Sequence, residues 1–569
     1  MNKKVLAVIL VMALLLCPAA EAFAEAPADI GTRIEAYVAA HEETTAGLAV
    51  SVFDAGGVVY QNFFGYADQE NGVPVTADTV FEWGSATKLL VWVSVMQLRE
   101  QGKLDLDADV RTYLPEGFLT NLHYDTPVTL THLMNHTAGF QELLVDLFLP
   151  QGSALPTLEN ALRAHEPAQI YEPGTVTAYS NWGTALAGYI VERVSGESFC
   201  DYVHAHIFAP LGMGHSALAP DLSDNEWVRM RRQELSCYTA AGTLIPNCFY
   251  HITLYPAGMC TGTLSDFTAF AMALLDTDCP LFASADTRDE IFSPTARYDD
   301  GLARNCHGFW VLPFGVETVG HGGNTAGCSS YLLLDLKGGT GVTLMTNQSG
   351  ETVYNEGLPA LVFGDYRADE TRALPQGVYR AARTVLRGPL KLYSVGYTFF
   401  TQEDEGAFWV ASAGRVSFPY GDLLKISAGR MLLELGLLLL WGLGILFSLG
   451  YLLISSIRFL WRRRNDPQPP DAKRPYRRVG ALLQLVTGLL LAVLVVFVSS
   501  YRATGSYSWL LVLPGLLAAG MTAIFCLLLK KRTAPQSRGV TALNILSLVF
   551  LAAAVANVLY WQLYMFWAL

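Results

Sequence analysis

The chain has 569 residues, enough for several domains, and its formal charge of −13 is unevenly spread. Residues 426–569 carry 14 Lys and Arg against 3 Asp and Glu, whereas residues 1–425 carry 24 against 48. An acidic leading part argues against a nucleic-acid partner, which wants a basic face; the mean hydropathy of +0.29 comes from the apolar, basic tail.

The N-terminus reads as a secretory signal spanning residues 1–24. Lys3 and Lys4 precede an apolar run, Val5–Leu16, and Ala22-Phe23-Ala24 is a small-x-small cleavage site. The run is shorter than the about 20 residues a spanning helix needs. Leu16 stands before Cys17 where a lipoprotein signal wants a small residue. Residues 46–64 then alternate as a hairpin, with Asp54-Ala55-Gly56-Gly57 as its turn.

Ser85 is expected to open a helix running to about Gln101. Leu89, Leu90, Val91, Trp92, Val93, Val95 and Met96 make that helix apolar nearly all round, which places it in a domain centre. Lys88 follows Ser85 by three residues and shares its helical face. A lysine in such a setting is costly unless it has a partner or a task. Desolvation favours its neutral form, which can accept a proton from Ser85. Two more patterns follow, Tyr179-Ser180-Asn181 and His321-Gly322-Gly323. They add a phenol that can move a proton and a glycine-lined edge. Together the three patterns form the parts of an acyl-enzyme serine hydrolase.

Around these patterns the chain resembles the serine β-lactamase-like family, which includes class C β-lactamases, DD-carboxypeptidases, D-aminopeptidases and esterases. Phe81-Glu82-Trp83-Gly84-Ser85-Ala86-Thr87-Lys88 resembles its nucleophile segment, and Leu130–Phe140 its "HLLxHTSGL" stretch. Tyr171-Glu172-Pro173-Gly174 with Tyr179-Ser180-Asn181-Trp182-Gly183 resembles the second catalytic segment. Phe208–Met213, Pro256-Ala257-Gly258 with Leu264–Phe267, and Gly320–Gly327 complete six landmarks over residues 30–362.

The resemblance implies an α/β (α+β) fold. An antiparallel sheet is flanked by helices, with a helical subdomain inserted between the first two motifs. It implies Ser85 as nucleophile, with Lys88 and Tyr179 sharing general-base and general-acid duty; which of them deprotonates Ser85 stays open. Asn181 is expected to bind the substrate's acyl-side amide, and the N–H groups of Ser85 and Asn324 to form the oxyanion hole. Gly322 and Gly323 are expected to leave a strand edge bare for an extended substrate. His321 stands where many β-lactamases have lysine. A histidine ordinarily titrates near ~6.5, which gives it only a partial charge for a substrate carboxylate. That ranks peptide, D-amino-acid or ester hydrolysis above β-lactam hydrolysis.

His132 and His136 share a helix face but lack a third ligand, so they read as structural rather than metal-binding. No cofactor or metal is implied. Seven cysteines lie between Cys200 and Cys328; Cys237 and Cys248 could close a short loop, and unpaired buried thiols are the equal alternative.

Residues 363–425 are expected to form a small β module or stalk, with strands near 375–380, 390–395 and 407–411. Four apolar stretches follow, about 431–456, 480–500, 508–529 and 540–563, each read as a spanning helix within a membrane domain at 426–569. The links 458–478 and 530–539 are basic and are expected to be cytoplasmic, which puts the hydrolase domain, residues 25–362, outside. Glu434 and Arg430 are expected to pair at the outer interface and stay wet. The reading is therefore a multi-pass, membrane-anchored, extracytoplasmic serine hydrolase. Its partners are a cell-envelope peptide or ester and the lipid bilayer. The alternative is a β-lactamase, or a penicillin-binding sensor that acylates and signals through its helices.

Overall fold

The computed structural model describes residues 29–565 except 143–146, 367–371, 402–404, 407–409, 413, 466–471, 500–509, 511 and 531–536. The secretory signal expected at residues 1–24 lies outside the described residues.

A nine-stranded antiparallel sheet forms the frame. Its order is Ala296–Arg297, Ala303–Cys306, Phe309–Pro313, Glu317–Asn324, Ser329–Asp335, Thr340–Thr346, Gly47–Asp54, Gly57–Asp68 and Val73–Pro74. The expected N-terminal hairpin is present, with a return strand longer than its alternation suggested. Its first strand pairs with Thr340–Thr346, close to the end of the domain. Alternation along that strand sorts side chains to two cores. Leu48, Val50 and Val52 pack with Ile34 of the helix Ile30–Ala40 and with Tyr354 and Leu358 of Val353–Phe363. Ala49 and Phe53 face the larger core, which includes Phe267 and Phe270 of the helix Leu264–Leu275.

The helix Lys88–Glu100 runs through that larger core, with every residue from Lys88 to Leu98 buried. The helices Leu130–Met134, Leu158–Ala164 and Asn181–Ser195 belong to the same lobe. His132 sits in the capping box of Leu130–Met134, where its Nδ1 accepts from Thr129 N at 3.2 Å, so its role is structural. A disulfide joins Cys237 to Cys248; Cys200, Cys260, Cys279, Cys306, Cys328 and Cys526 are free.

The β module is a five-stranded antiparallel sheet in the order Thr398–Phe400, Gly377–Ala381, Gly421–Ile426, Arg415–Phe418, Val410–Ser412. The strand expected at 390–395 is instead the helical turn Pro389–Ser394, where Pro389 supplies a fixed φ and needs no donor. Residues 407–409 of the third expected strand lie outside the described residues. The module is docked on the leading domain rather than held away from it. Buried Asp422 accepts from Arg304 at 2.9 Å and from Thr177 N at 2.9 Å.

Four helices close the chain: Ala428–Asn465, Arg474–Ser499, Leu513–Leu529 and Arg538–Tyr560. Among the described residues, three are long and apolar enough to cross a membrane. Leu513–Leu529 has 17 residues, short of the expected span, and Pro514 in its first turn sets its start. Trp441, Met521, Leu551, Ala554 and Val558 form the shared core of these helices. The expectation for Glu434 is corrected. It is fully buried, and Arg380 and Tyr397 of the module join Arg430 and Tyr560 around its carboxylate.

Candidate active site

Ser85 lies in a single tight turn, Gly84–Thr87, that runs directly into the helix Lys88–Glu100. The turn is pressed against the sheet by backbone contacts that tolerate only glycine. Gly84 has φ +54°, and a Cβ there would lie 2.7 Å from the Asn324 nitrogen. A Cβ on Gly323 would lie 1.9 Å from the Trp83 carbonyl oxygen. Ser330 Oγ donates to the same carbonyl at 2.7 Å. The strand Phe309–Pro313 pairs with its neighbour only up to Gly320, so His321–Asn324 are unpaired on that side. The edge is bare because pairing stops there. The two glycines serve contact: Gly323 admits the turn that carries Ser85, and Gly322 admits the Tyr331 ring.

Lys88 is fully buried, and its Nζ lies 3.2 Å from Ser85 Oγ, 2.8 Å from Asn181 Oδ1 and 2.5 Å from the Ala257 carbonyl oxygen. A neutral amine has two N–H groups and one lone pair. Asn181 Oδ1 and Ala257 O can only accept, so they take the two N–H groups and the lone pair is left for the Ser85 hydroxyl. Burial holds the Lys88 pKa well below the ordinary lysine value; Glu142 opposes this and Arg383 adds to it.

Tyr179 immediately precedes Ser180, whose side chain caps the helix Asn181–Ser195. Its ring lies 4.9 Å from Lys88 Nζ and 4.3 Å from the His136 ring. His136 brackets this segment: its carbonyl accepts from Ala178 N at 2.8 Å and its Nδ1 from Ser180 N at 3.3 Å. Burial raises the Tyr179 phenol pKa, with Ser85 and Arg383 pulling the other way, so the phenol is a proton donor at neutral pH.

Asn181 also donates to Glu142 Oε1 at 2.8 Å, which fixes its amide orientation. Glu142, Trp310 and Arg383 carried no motif of their own in the sequence, and Ala257 lay in the Pro256-Ala257-Gly258 landmark with no role assigned to it. His321 is placed differently from the expectation. It is fully buried, stacks on Trp310 at 3.8 Å, and its Nδ1 lies 2.6 Å from the Gly322 carbonyl oxygen. Burial lowers its pKa to about 3, so it is neutral and offers no charge to a carboxylate. Ser85, Tyr179, Asn181, Gly322 and Asn324 line a cavity of 640 Å³; Lys88, His321 and Gly323 stand behind its wall.

Cys200, His204 and Asp224 are close enough to share a metal ion, with His204 Nε2 2.8 Å from Asp224 Oδ2. They do not line the cavity that holds Ser85.

Comparison with known proteins bears on the whole leading part of the chain. The matched region is 26% identical over 321 residues to penicillin-binding protein 4* of Bacillus subtilis, covering 54% of this chain and 69% of that protein. It is 32% identical over 210 residues to the esterase EstB of Burkholderia gladioli, covering 34% and 52%. The octameric penicillin-binding protein homologue from Pyrococcus abyssi superposes with a TM-score of 0.50 at 23% identity, covering 70% of this chain and 88% of that one, a likeness of fold. The beta-lactamase family model matches residues 32–364, more than half of the chain, and the chain belongs to that family.

Proposed function

We propose that the protein is a membrane-anchored serine hydrolase that cleaves D-amino-acid peptides or esters of the cell envelope through an acyl-enzyme on Ser85. The observation that carries this reading is the buried Lys88 amine, 3.2 Å from Ser85 Oγ with its other two positions taken by acceptors. Lys88 removes the Ser85 proton as Oγ attacks the substrate carbonyl. The oxyanion is received by the N–H groups of Ser85 and Asn324, which the Gly84 contact holds together. Tyr179 delivers a proton to the leaving group and recovers one from protonated Lys88; water then cleaves the ester on Ser85, leaving a free acid and the restored Ser85 hydroxyl. The names of related proteins, an esterase and penicillin-binding proteins, support the class of chemistry. The apolar helices support anchoring, and the basic links at 458–478 and 530–539 support a cleft on the outer side.

Intact-mass labelling with a fluorophosphonate and a penicillin tests the reading. One adduct on Ser85, lost in Ser85→Ala, is expected; labelling that survives the substitution refutes it. A penicillin-binding sensor is the second reading. It is favoured by the Arg380–Glu434 pair, which ties the β module to the first apolar helix. Repeated turnover of a D-alanyl ester supports the hydrolase, and a single stable adduct supports the sensor.

A further inference from the structure

The cleft is lined by two parts of the chain. Most of its wall belongs to the hydrolase domain, but Arg383, Phe418, Pro419 and Tyr420 come from the β module. The module's contribution is held in place on several sides. Ala382 N donates to the Asp422 carbonyl at 2.8 Å, and Glu142 N donates to the Thr384 carbonyl at 3.2 Å, so the backbone is pinned on both flanks of Arg383. Arg304 donates to the Phe418 carbonyl at 2.7 Å, and the Tyr420 ring packs on Trp310 at 4.8 Å.

Arg383 has the properties of a ligand-facing cation. Its side chain is 42% exposed and lines the cavity. Its guanidinium lies 4.9 Å from the centroid of the Tyr179 ring. Its contact with Glu142 is long, 3.4 Å to Oε1, and that oxygen already accepts from Asn181 Nδ2 at 2.8 Å. A guanidinium has five N–H donors in a planar fork suited to a carboxylate. One of them reaches Glu142; among the described residues no other side chain or carbonyl takes the rest. The other basic groups near Ser85 do not serve this purpose. Lys88 has all its positions occupied, and His321 is sealed against Trp310.

We propose that the β module forms the anion-recognising wall of the cleft, and that Arg383 selects acyl substrates carrying a carboxylate beside the scissile bond. This rests on the acyl-enzyme reading of Ser85. The carboxylate occupies the open donors of the Arg383 fork while the scissile carbonyl lies against Ser85 and Asn324. The charge missing at position 321 is thus supplied from outside the hydrolase domain.

The test uses the full chain in detergent and two substrates. One is an N-acyl-D-alanyl ester whose leaving group bears a free carboxylate; the other is the same compound with that carboxylate methylated. The wild-type protein is expected to prefer the free acid. Arg383→Gln is expected to lower the ratio of the two kcat/KM values about 10- to 100-fold, mainly through KM, and Arg383→Lys to restore part of it. A second measurement needs no variant: the free acid, but not its methyl ester, should protect Ser85 of the wild-type protein from fluorophosphonate. A ratio that is unchanged in Arg383→Gln, or equal protection by both compounds, overturns the proposal while the acyl-enzyme reading stands. Absence of any Ser85 adduct in the wild-type protein overturns both.

Discussion

Arg380 lies in the strand Gly377–Ala381 of the β module and Arg383 two residues past its end, yet they meet opposite surroundings. Arg380 is buried and ion-paired with Glu434. The Glu434 carboxylate also accepts from Tyr397, Tyr560 and Arg430, so this network is closed. Arg383 is half-exposed and touches Glu142 at the edge of hydrogen-bond range. A buried carboxylate with all its acceptor sites filled is a joint: opening it costs energy and gains no ligand. A cation with open donors in a cavity is a place for a ligand. The module therefore joins the leading domain to the apolar C-terminal helices on one side and finishes the cleft on the other.

The contrast can be broken from the cleft outward. Ser85→Ala should abolish the covalent adduct and lower ester turnover by about 10⁴-fold or more, read by intact mass and steady-state kinetics. Tyr179→Phe should lower turnover by about 10²- to 10⁴-fold while the fold persists, because it removes the proton donor but keeps the ring against His136. Glu434→Gln should act on the joint instead. It leaves Arg380 buried without a charged partner, at a cost of about 3–5 kcal/mol, seen as a lower thermal midpoint in detergent. Ester turnover below that midpoint should hold, since Glu434 lies outside the cavity lining.

The smallest effect concerns pH. His321 has a folded pKa of about 3, below the ~6.5 of an unfolded histidine. The unfolded chain therefore binds the extra proton first as pH falls, and stability drops between those two values. The expected loss from this group is about 2 kcal/mol between pH 7 and pH 5, checked by urea unfolding of the detergent-solubilised protein. His321→Gln should flatten that slope. Part of it should remain, because buried His136 is shifted in the same direction.

The Ser85–Lys88 pair was legible because both residues lie within one helical turn, and a helix apolar nearly all round announced that Lys88 would be buried. Tyr179 and Asn181 became legible through the order of their motifs. Glu142 was not: it reaches Asn181 from 39 residues away in sequence, and no local pattern marks a lone glutamate for that contact. Arg383 was further from reach, 241 residues from the Glu142 it touches and in a segment read as a small β module or stalk. His321 shows the same limit in another form. Its position in the third motif suggested a partial charge for substrate, but Trp310 covers it, and that stack depends on the register between two strands.

The sequence by itself determined the parts that depend on spacing and composition: the nucleophile and its amine, the alternating first hairpin, and the long apolar helices of the tail. Only the tertiary structure decided which charges remain available. Burial sets whether a lysine or histidine is neutral, and the docking of a distant β module decides which cation faces the cleft. Both depend on contacts between residues far apart in the chain, where local periodicity carries no information.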